Sequence, residues 1–197
     1  MKQLYFWLLL AIYLPAQASE CTGAPFSASF LQPLTSDLER SAEAWEATLQ
    51  SIAGVGIDTL YLQWSVYGEL DLSREPGISF LSAWLDQAHA SGLRVNLGLV
   101  ADADFGSRIA APADALAPYL AGLRERSLAA ADRLNARLGG HPAFVGWYLS
   151  EEIDDRSWTH PWQVDLLREH LSSLTSLLAE LSPEKPVSIS TYVSGAQ

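Results

Sequence analysis

The 197-residue chain has a single cysteine, Cys21, and few basic residues, with 12 lysines and arginines against 23 aspartates and glutamates. One cysteine forms neither an internal disulfide nor a cysteine-based zinc cluster. A net charge of −11 argues against nucleic acid and anionic membrane surfaces as partners, because both need a basic footprint. The sequence also lacks a repeat period and is 49% hydrophobic, so we expect one globular domain with a substantial core.

The N-terminus has the pattern of an export signal. A short positive start precedes the apolar run 4–14, and Ala16 and Ala18 form a small-x-small cleavage motif. We therefore expect residues 1–18 to be a signal peptide, and residues 19–197 to form an exported periplasmic or extracellular domain. A membrane anchor is the alternative. Because the run is shorter than the ~20 apolar residues that span a bilayer, we expect no stable membrane insertion after cleavage.

Beyond this segment, apolar residues alternate between strand-like and helix-like spacing. Five strands are predicted, over residues 26–33, 59–65, 94–100, 144–150 and 187–193. Four helices are predicted between them, over about residues 36–54, 81–88, 114–138 and 161–181. The first helix is expected to begin at a capping box made by Ser36 and Glu39. Single helical crossovers between successive strands predict a parallel sheet.

The two faces of the predicted strands differ in chemistry. In the second strand Leu60 and Leu62 point one way, while Tyr61 and Gln63 point the other. The later strands repeat this division into an aliphatic face and a small or polar face. A doubly wound sheet needs apolar residues on both faces, whereas the interior of a barrel can turn polar towards its rim. The pattern favours a (β/α) barrel, and no phosphate-binding glycine motif supports a nucleotide site.

The segment 141–154, HPAFVGWYLSEEID, resembles the fourth-strand region of glycoside-hydrolase-type TIM barrels. It is most similar to a bacterial group of unassigned function, domain of unknown function 4434. Segments 29–32 and 56–64 resemble the first and second strands of that group, so the resemblance covers about residues 24–195. It implies an α/β fold, a (β/α)8 TIM barrel of glycoside hydrolase type. Because no helix follows the fifth predicted strand, we expect a barrel truncated after that strand, with an uncovered sheet edge.

In the wider superfamily an Asn-Glu pair ends the fourth strand, and its glutamate is the general acid/base. The resemblance assigns this role to Glu152. Glu151 stands in place of the asparagine, where it is predicted to bind substrate, although a carboxylate accepts hydrogen bonds and does not donate them. The superfamily's nucleophile ends a seventh strand, so the second catalytic carboxylate is expected to be absent from this chain. Whether the protein is an enzyme therefore stays open.

Five further residues are predicted to line a substrate cleft. Gln32, Gln63 and Trp64 end the first two strands, where amides meet sugar hydroxyls and an aromatic ring covers the C–H face of a pyranose. Tyr148 and Tyr192 face the barrel interior by strand parity. Plain packing is the alternative for each aromatic residue.

A second aromatic candidate follows the fourth strand. Trp158 and Trp162 lie near His160 in the sequence. They are predicted either to form a carbohydrate platform or to pack against the next helix. Asp102 and Asp104 follow the third strand as solvated loop charges or ligand contacts. Histidine spacing gives no metal site, and neither a metal nor a cofactor is expected.

The leading hypothesis is an exported glycoside-hydrolase-like protein that acts on a polysaccharide or glycan, with Glu152 as general acid/base. The alternative is a non-catalytic glycan-binding or cell-envelope polysaccharide accessory protein on the same barrel. A metal-dependent hydrolase that uses the acidic rim is a third hypothesis.

Overall fold

A computed structural model describes residues 26–195. The predicted signal peptide and Cys21 lie outside this range. The strands within it are β1 (Ala28–Leu31), β2 (Thr59–Leu62), β3 (Val66–Tyr67), β4 (Leu70–Asp71), β5 (Arg94–Gly98), β6 (Phe144–Asp154) and β7 (Val187–Tyr192). The helices are α1 (Ala42–Gly54), α2 (Gly77–Ala90), α3 (Phe105–Arg108), α4 (Ala113–Leu138) and α5 (Pro161–Leu181).

Five of the described strands form one parallel sheet in the order β1-β2-β5-β6-β7, and β3 and β4 form a separate antiparallel hairpin. The spatial order of the parallel strands follows the chain, as successive β/α units of a barrel require. The sheet curls into a half-barrel, which confirms the predicted fold class. No helix within residues 26–195 is long and apolar enough to cross a bilayer.

The core lies between the outer face of the sheet and the helices. Leu60, Val95, Leu97 and Trp147 on the strands are fully buried and pack against aliphatic and aromatic side chains of α1, α2, α4 and α5. The opposite face carries polar and aromatic groups such as Tyr148, and points into the barrel interior. The division of strand faces predicted from the sequence is therefore confirmed.

The start of the first helix was predicted wrongly. Residues Thr35–Glu39, which contain the predicted capping box, form a 3-10 helix. The Asp37 carboxylate accepts a hydrogen bond from the Leu34 backbone N–H at 2.8 Å and closes that turn. The cap of α1 is Ser41, whose Oγ accepts a hydrogen bond from the Ala44 N–H at 3.2 Å.

β6 runs four residues further than predicted, to Asp154. Its pairing with β7 shifts register between Leu149 and Ile153, which lets the strand continue past the point where the alternation of apolar residues ends. Glu151 and Glu152 therefore lie inside a strand, and their side chains point to opposite faces of the sheet.

The end of β5 lies close against the backbone at the end of β2. A Cβ atom on Gly98 would overlap the Leu62 carbonyl oxygen and the Gln63 carbonyl group. These are backbone atoms held in the sheet, so they cannot move aside as a flexible side chain would. A Cβ atom on Gly54, by contrast, would meet nothing within 4 Å.

Gly98→Ala is expected to lower the free energy of unfolding by about 2 kcal/mol, because overpacking against fixed backbone is costly. The control, Gly54→Ala at the end of α1, should leave it unchanged or raise it by up to about 1 kcal/mol, since alanine is the better helix former. Urea denaturation of both variants measures the difference. Equal stabilities would contradict the close approach of the two strands.

Candidate active site

Two adjacent cavities that share Glu152 open at the carboxyl ends of the parallel strands, the end at which barrel enzymes place their active sites. The first, of about 450 Å³, is lined by residues that follow β1, β2 and β5 and by the end of β6. The second, of about 430 Å³, lies between the ends of β6 and β7. Gln63, Glu152 and Asp154 line both cavities. We call the first the inner cavity and the second the outer cavity.

Gln32 and Gln63 form a hydrogen-bonded amide pair on the wall of the inner cavity. The Gln32 Nε2 donates to Gln63 Oε1 at 2.7 Å. The Ser150 hydroxyl donates to the Gln63 backbone oxygen, also at 2.7 Å, and ties β6 to the end of β2. Each amide keeps further donors or acceptors for a ligand, because an amide side chain offers two N–H groups and a carbonyl oxygen.

The adjacent glutamates have different surroundings. Glu151 is 3% exposed, and its Oε1 lies 2.7 Å from Nε2 of the buried His170 on α5. Glu151 contributes to the cavity wall, but its carboxylate is engaged with the helix layer. Glu152 is exposed and lines both cavities. The structure thus brings Glu152 together with the predicted cleft residues and directs the Glu151 carboxylate away from them.

The remaining carboxylates around the inner cavity are also engaged. Asp102 forms an ion pair with Arg126 at 3.1 Å. Asp154 accepts hydrogen bonds from the hydroxyl and backbone N–H of Ser157 and from the backbone N–H of Arg156. These bonds, above all the one from the Ser157 hydroxyl, hold the pKa of Asp154 below its usual value. Among the described residues, Glu152 is the cavity carboxylate that forms no hydrogen bond or ion pair.

The described residues contain no cluster of three or more histidine, cysteine, aspartate or glutamate side chains arranged to hold a metal ion. Asp104 is exposed, and its nearest basic partner, Arg108, lies 4.0 Å away. The hypothesis of a metal-dependent hydrolase therefore gains no ligand set within residues 26–195.

Trp64 lines the inner cavity as part of an aromatic stack. It is 8% exposed, and its indole N–H donates to the Pro33 carbonyl at 2.9 Å. Its ring stacks on Tyr67, with centroids 4.5 Å apart and an interplanar angle of 26°. Tyr67 is 36% exposed and also lines the cavity.

Tyr67 was not among the residues predicted from the sequence, because the β3–β4 hairpin that carries it is too short to show a periodic pattern. The signal that was available is Gly68, which has a φ of 58° in the hairpin turn. A glycine followed by a polar residue, Gly68-Glu69, between the short segments Val66-Tyr67 and Leu70-Asp71 is typical of a tight hairpin.

Tyr148 lies beneath Glu152 on the interior face of β6. Its hydroxyl is 2.6 Å from Ser190 Oγ on β7, and its ring packs against Phe30 and Tyr61 with centroids 5.3 and 5.7 Å away. Burial raises the Tyr148 pKa above the ordinary tyrosine value, the hydrogen bond to Ser190 opposes that rise, and the Glu152 carboxylate adds to it. The phenol is therefore a neutral hydrogen-bonding group in the floor of the site.

The other aromatic candidates differ in their relation to the cavities. Tyr192 is 73% exposed and lines the outer cavity. Trp158 is buried against Phe105, with ring centroids 6.2 Å apart. Trp162 is 36% exposed and stacks on His160. Neither Trp158 nor Trp162 lines the inner or the outer cavity.

Solved structures place this architecture among glycoside-hydrolase-type TIM barrels. The chain aligns with a candidate alpha-L-fucosidase from Bacteroides thetaiotaomicron VPI-5482 at a TM-score of 0.66 and 19% identity, over 99% of this chain and 59% of that one. It aligns with the endo-beta-1,4-mannanase from Thermotoga petrophila at a TM-score of 0.61 and 15% identity, over 83% of this chain and 42% of that one. At these identities the likeness establishes the fold.

The chain belongs to the family described as "Domain of unknown function (DUF4434)", whose match spans residues 26–197. This confirms the resemblance found in the sequence. The uncharacterized protein YbcH of Escherichia coli K12 is 32% identical to the chain over 167 residues, which are 83% of this chain and 54% of YbcH. The chain thus spans about half the length of this curated relative, and 59% of the first solved structure above.

The raised pKa of Tyr148 predicts a loss of stability at alkaline pH. From about pH 10, the ordinary tyrosine pKa, up to the raised value, the native protein keeps a proton that the unfolded chain has released. The free energy of unfolding must therefore fall as the pH rises through that window. Tyr148→Phe removes this contribution, so its stability should fall less steeply than that of the unmodified protein above pH 10.

At pH 7 the same variant should lose only about 1 kcal/mol, the usual net value of one hydrogen bond. Urea denaturation at pH 7 and above pH 10 provides both comparisons. Parallel stability curves for the two proteins over the alkaline range would show that Tyr148 does not titrate as inferred.

Proposed function

We propose that the protein acts on a polysaccharide or glycan as a glycoside hydrolase, with Glu152 as general acid/base. Gln32 and Gln63 would contact the sugars in the inner cavity, where Trp64 forms part of the aromatic wall, and Tyr192 would contact those in the outer cavity. Tyr148 would support the site from beneath. The glycoside-hydrolase-type fold supports a carbohydrate ligand, and the geometry around Glu152 supports its role.

The position of Glu152 between the two cavities carries the proposal. A glycan that occupies both cavities passes over this residue, so the bond between its two sugars lies beside the carboxyl group. Glycoside hydrolysis needs a carboxylic acid at that place to protonate the leaving oxygen. Glu152 is suited to this role because no described side chain occupies its carboxyl group.

The reaction also needs a second carboxylate across the glycosidic bond. A separation of ~5 Å from Glu152 would give a retaining mechanism, and ~6.5–9.5 Å an inverting one. Asp102, Glu151 and Asp154 each have a partner among the described residues. Asp154 also follows Glu152 by two positions on the same strand, so it approaches the bond from the same side.

This engagement of the other carboxylates favours a second candidate function, a non-catalytic glycan-binding or cell-envelope polysaccharide accessory protein. Such a protein would use the same amide and aromatic contacts but would leave the glycosidic bond intact. Stable binding of an oligosaccharide without any release of reducing sugar would distinguish this function from hydrolysis.

Glu152→Gln should reduce the release of reducing sugar from a panel of bacterial and plant polysaccharides by at least about 100-fold, because an amide cannot deliver the proton. Affinity for the same glycan should change little, since glutamine keeps the size and polarity of the side chain. Release and binding are measured on the same preparations.

Glu180→Gln is the matched control, because Glu180 is exposed near the C-terminal end of α5, at the opposite end of the barrel. It should turn over glycan like the unmodified protein. Undiminished turnover by Glu152→Gln would overturn the assignment of the acid/base.

We also propose that the protein is exported and acts in the periplasm or outside the cell, on the basis of the signal pattern in residues 1–18.

Ala18→Arg should block cleavage, because the last position before the cleavage site must be small. Gln17→Arg adds the same charge at the tolerant middle position and should still be processed. Intact-mass measurement should show a mature chain that begins at Ser19, and cytoplasmic retention of unprocessed protein would contradict export.

A further inference from the structure

We propose that Tyr67 is the sugar-stacking platform of the inner cavity, and that the ligand it receives is an uncharged pyranose unit of a glycan. This inference rests on the proposed function in one respect, that a glycan occupies the cavity. It does not require that Glu152 cleaves the glycan.

The hairpin that carries Tyr67 is held firmly to the rim of the barrel. The backbone N–H groups of Ser65 and Val66 donate to the Leu99 carbonyl at 2.9 and 3.3 Å, and the Ala101 N–H donates back to Val66 at 2.9 Å. The Leu72 N–H closes the base of the hairpin on Ser65 at 2.7 Å. Tyr67 is therefore presented from a fixed backbone, so little conformational entropy is lost when a ligand packs on its ring.

Trp64 supports the ring of Tyr67 from one side. Its hydrogen bond to Pro33 and its burial fix the indole, and the 4.5 Å stack fixes the phenol against it. Because Trp64 is almost wholly buried, the exposed aromatic surface of this pair belongs to Tyr67. A flat, partly exposed ring in a cavity matches the C–H face of a pyranose, which is the apolar side of an otherwise polar ligand.

The polar wall of the same cavity complements such a ligand. The Gln32–Gln63 pair offers both N–H donors and carbonyl acceptors, which matches sugar hydroxyls because hydroxyls also donate and accept. The carboxylates at the cavity wall are Asp102, Glu151, Glu152 and Asp154, and no lysine or arginine is among the described residues that line it. Arg126 pairs with Asp102 from outside the wall, so the repulsion of an anionic sugar comes mainly from Glu152 and Asp154, in a chain whose net charge is −11. A uronic acid or sulfated sugar would be repelled there, so the site favours an uncharged ring.

Binding of four hexasaccharides tests the proposal by isothermal titration calorimetry: cellohexaose, mannohexaose, N-acetylchitohexaose and hexagalacturonate. The uncharged probes are measured on the Glu152→Gln variant, so that no probe is consumed, and hexagalacturonate is measured on both this variant and the unmodified protein, which keeps the Glu152 charge. We expect at least one uncharged probe to bind and hexagalacturonate to bind more weakly. Adding Tyr67→Ala should weaken that binding about tenfold, whereas Tyr67→Phe should keep it within about twofold because the ring remains.

Trp162→Ala is the matched control, because Trp162 has the same exposed fraction as Tyr67 but lies outside both cavities. It should leave the affinity unchanged. If Tyr67→Ala loosens the hairpin, the Tyr67→Leu variant is used in its place, since leucine keeps apolar bulk against Trp64 but lacks a flat face. Circular dichroism and melting temperature establish that each variant is folded.

Several results would overturn the platform. Unchanged affinity in Tyr67→Ala or Tyr67→Leu, or a loss in Tyr67→Phe as large as in Tyr67→Ala, would show that the ring does not bind the sugar. Preferred binding of hexagalacturonate, or binding of none of the four probes, would overturn the uncharged pyranose as ligand. Release of reducing sugar by the unmodified protein is measured separately, so failure of the platform is distinguishable from failure of the Glu152 proposal.

Discussion

The alternation of side chains along β6 is the constraint on which the rest of the site depends. This eleven-residue strand is covered by helices on one side and faces the barrel interior on the other. Trp147 and Leu149 thereby enter the core, while Tyr148, Ser150 and Glu152 enter the interior. A shift of one residue would exchange these two sets, because the side-chain period of a strand is two. Burial of the large apolar set thus fixes the direction of Glu152.

Position 151 holds a carboxylate where the sequence resemblance leads one to expect an amide. A buried histidine on α5, His170, contacts this carboxylate. A carboxylate in a water-free layer is costly unless it is paired, and His170 supplies the pair. The two consecutive glutamates therefore differ in their surroundings: Glu151 joins the end of β6 to the helix behind it, and Glu152 faces the two cavities. The joint between strand and helix also limits the movement of the strand end that carries Glu152.

Strand faces could be predicted from the sequence because burial on one side imposes a period that survives without knowledge of the partners. Only part of the Gln32–Gln63 contact could be predicted in this way. Both residues were placed at strand ends, but the hydrogen bond between them depends on the lateral pairing of β1 with β2. The contact between Glu151 and His170 could not be predicted from the sequence, since nineteen positions separate the two residues and the contact depends on how α5 packs over β6.

Errors arose where local chemistry offers two equivalent solutions or where an element is too short to show a period. Ser36 has Glu39 three positions later, whereas Ser41 has Ala44 there, yet it is the Ser41 hydroxyl that accepts the Ala44 N–H and caps α1. The segment that begins at Thr35 closes instead as a separate turn, with the Asp37 carboxylate on the Leu34 N–H. Tyr67 lies on a two-residue strand whose position is set by hydrogen bonds to the segment after β5. Such a residue can be recognised only once the sheet is assembled.

The cavity therefore combines parts of two origins: a glutamate and two amides fixed by the regular barrel, and an aromatic wall fixed by an irregular hairpin. The repeating geometry of the barrel fixes the first set, whereas the hairpin is fixed by its own contacts, since Leu70 and the following Leu72 are buried in the core and its backbone bonds to the segment after β5. Under the proposed function, the aromatic contact to the sugar ring is thus supplied by an element that the β/α repeat itself does not require.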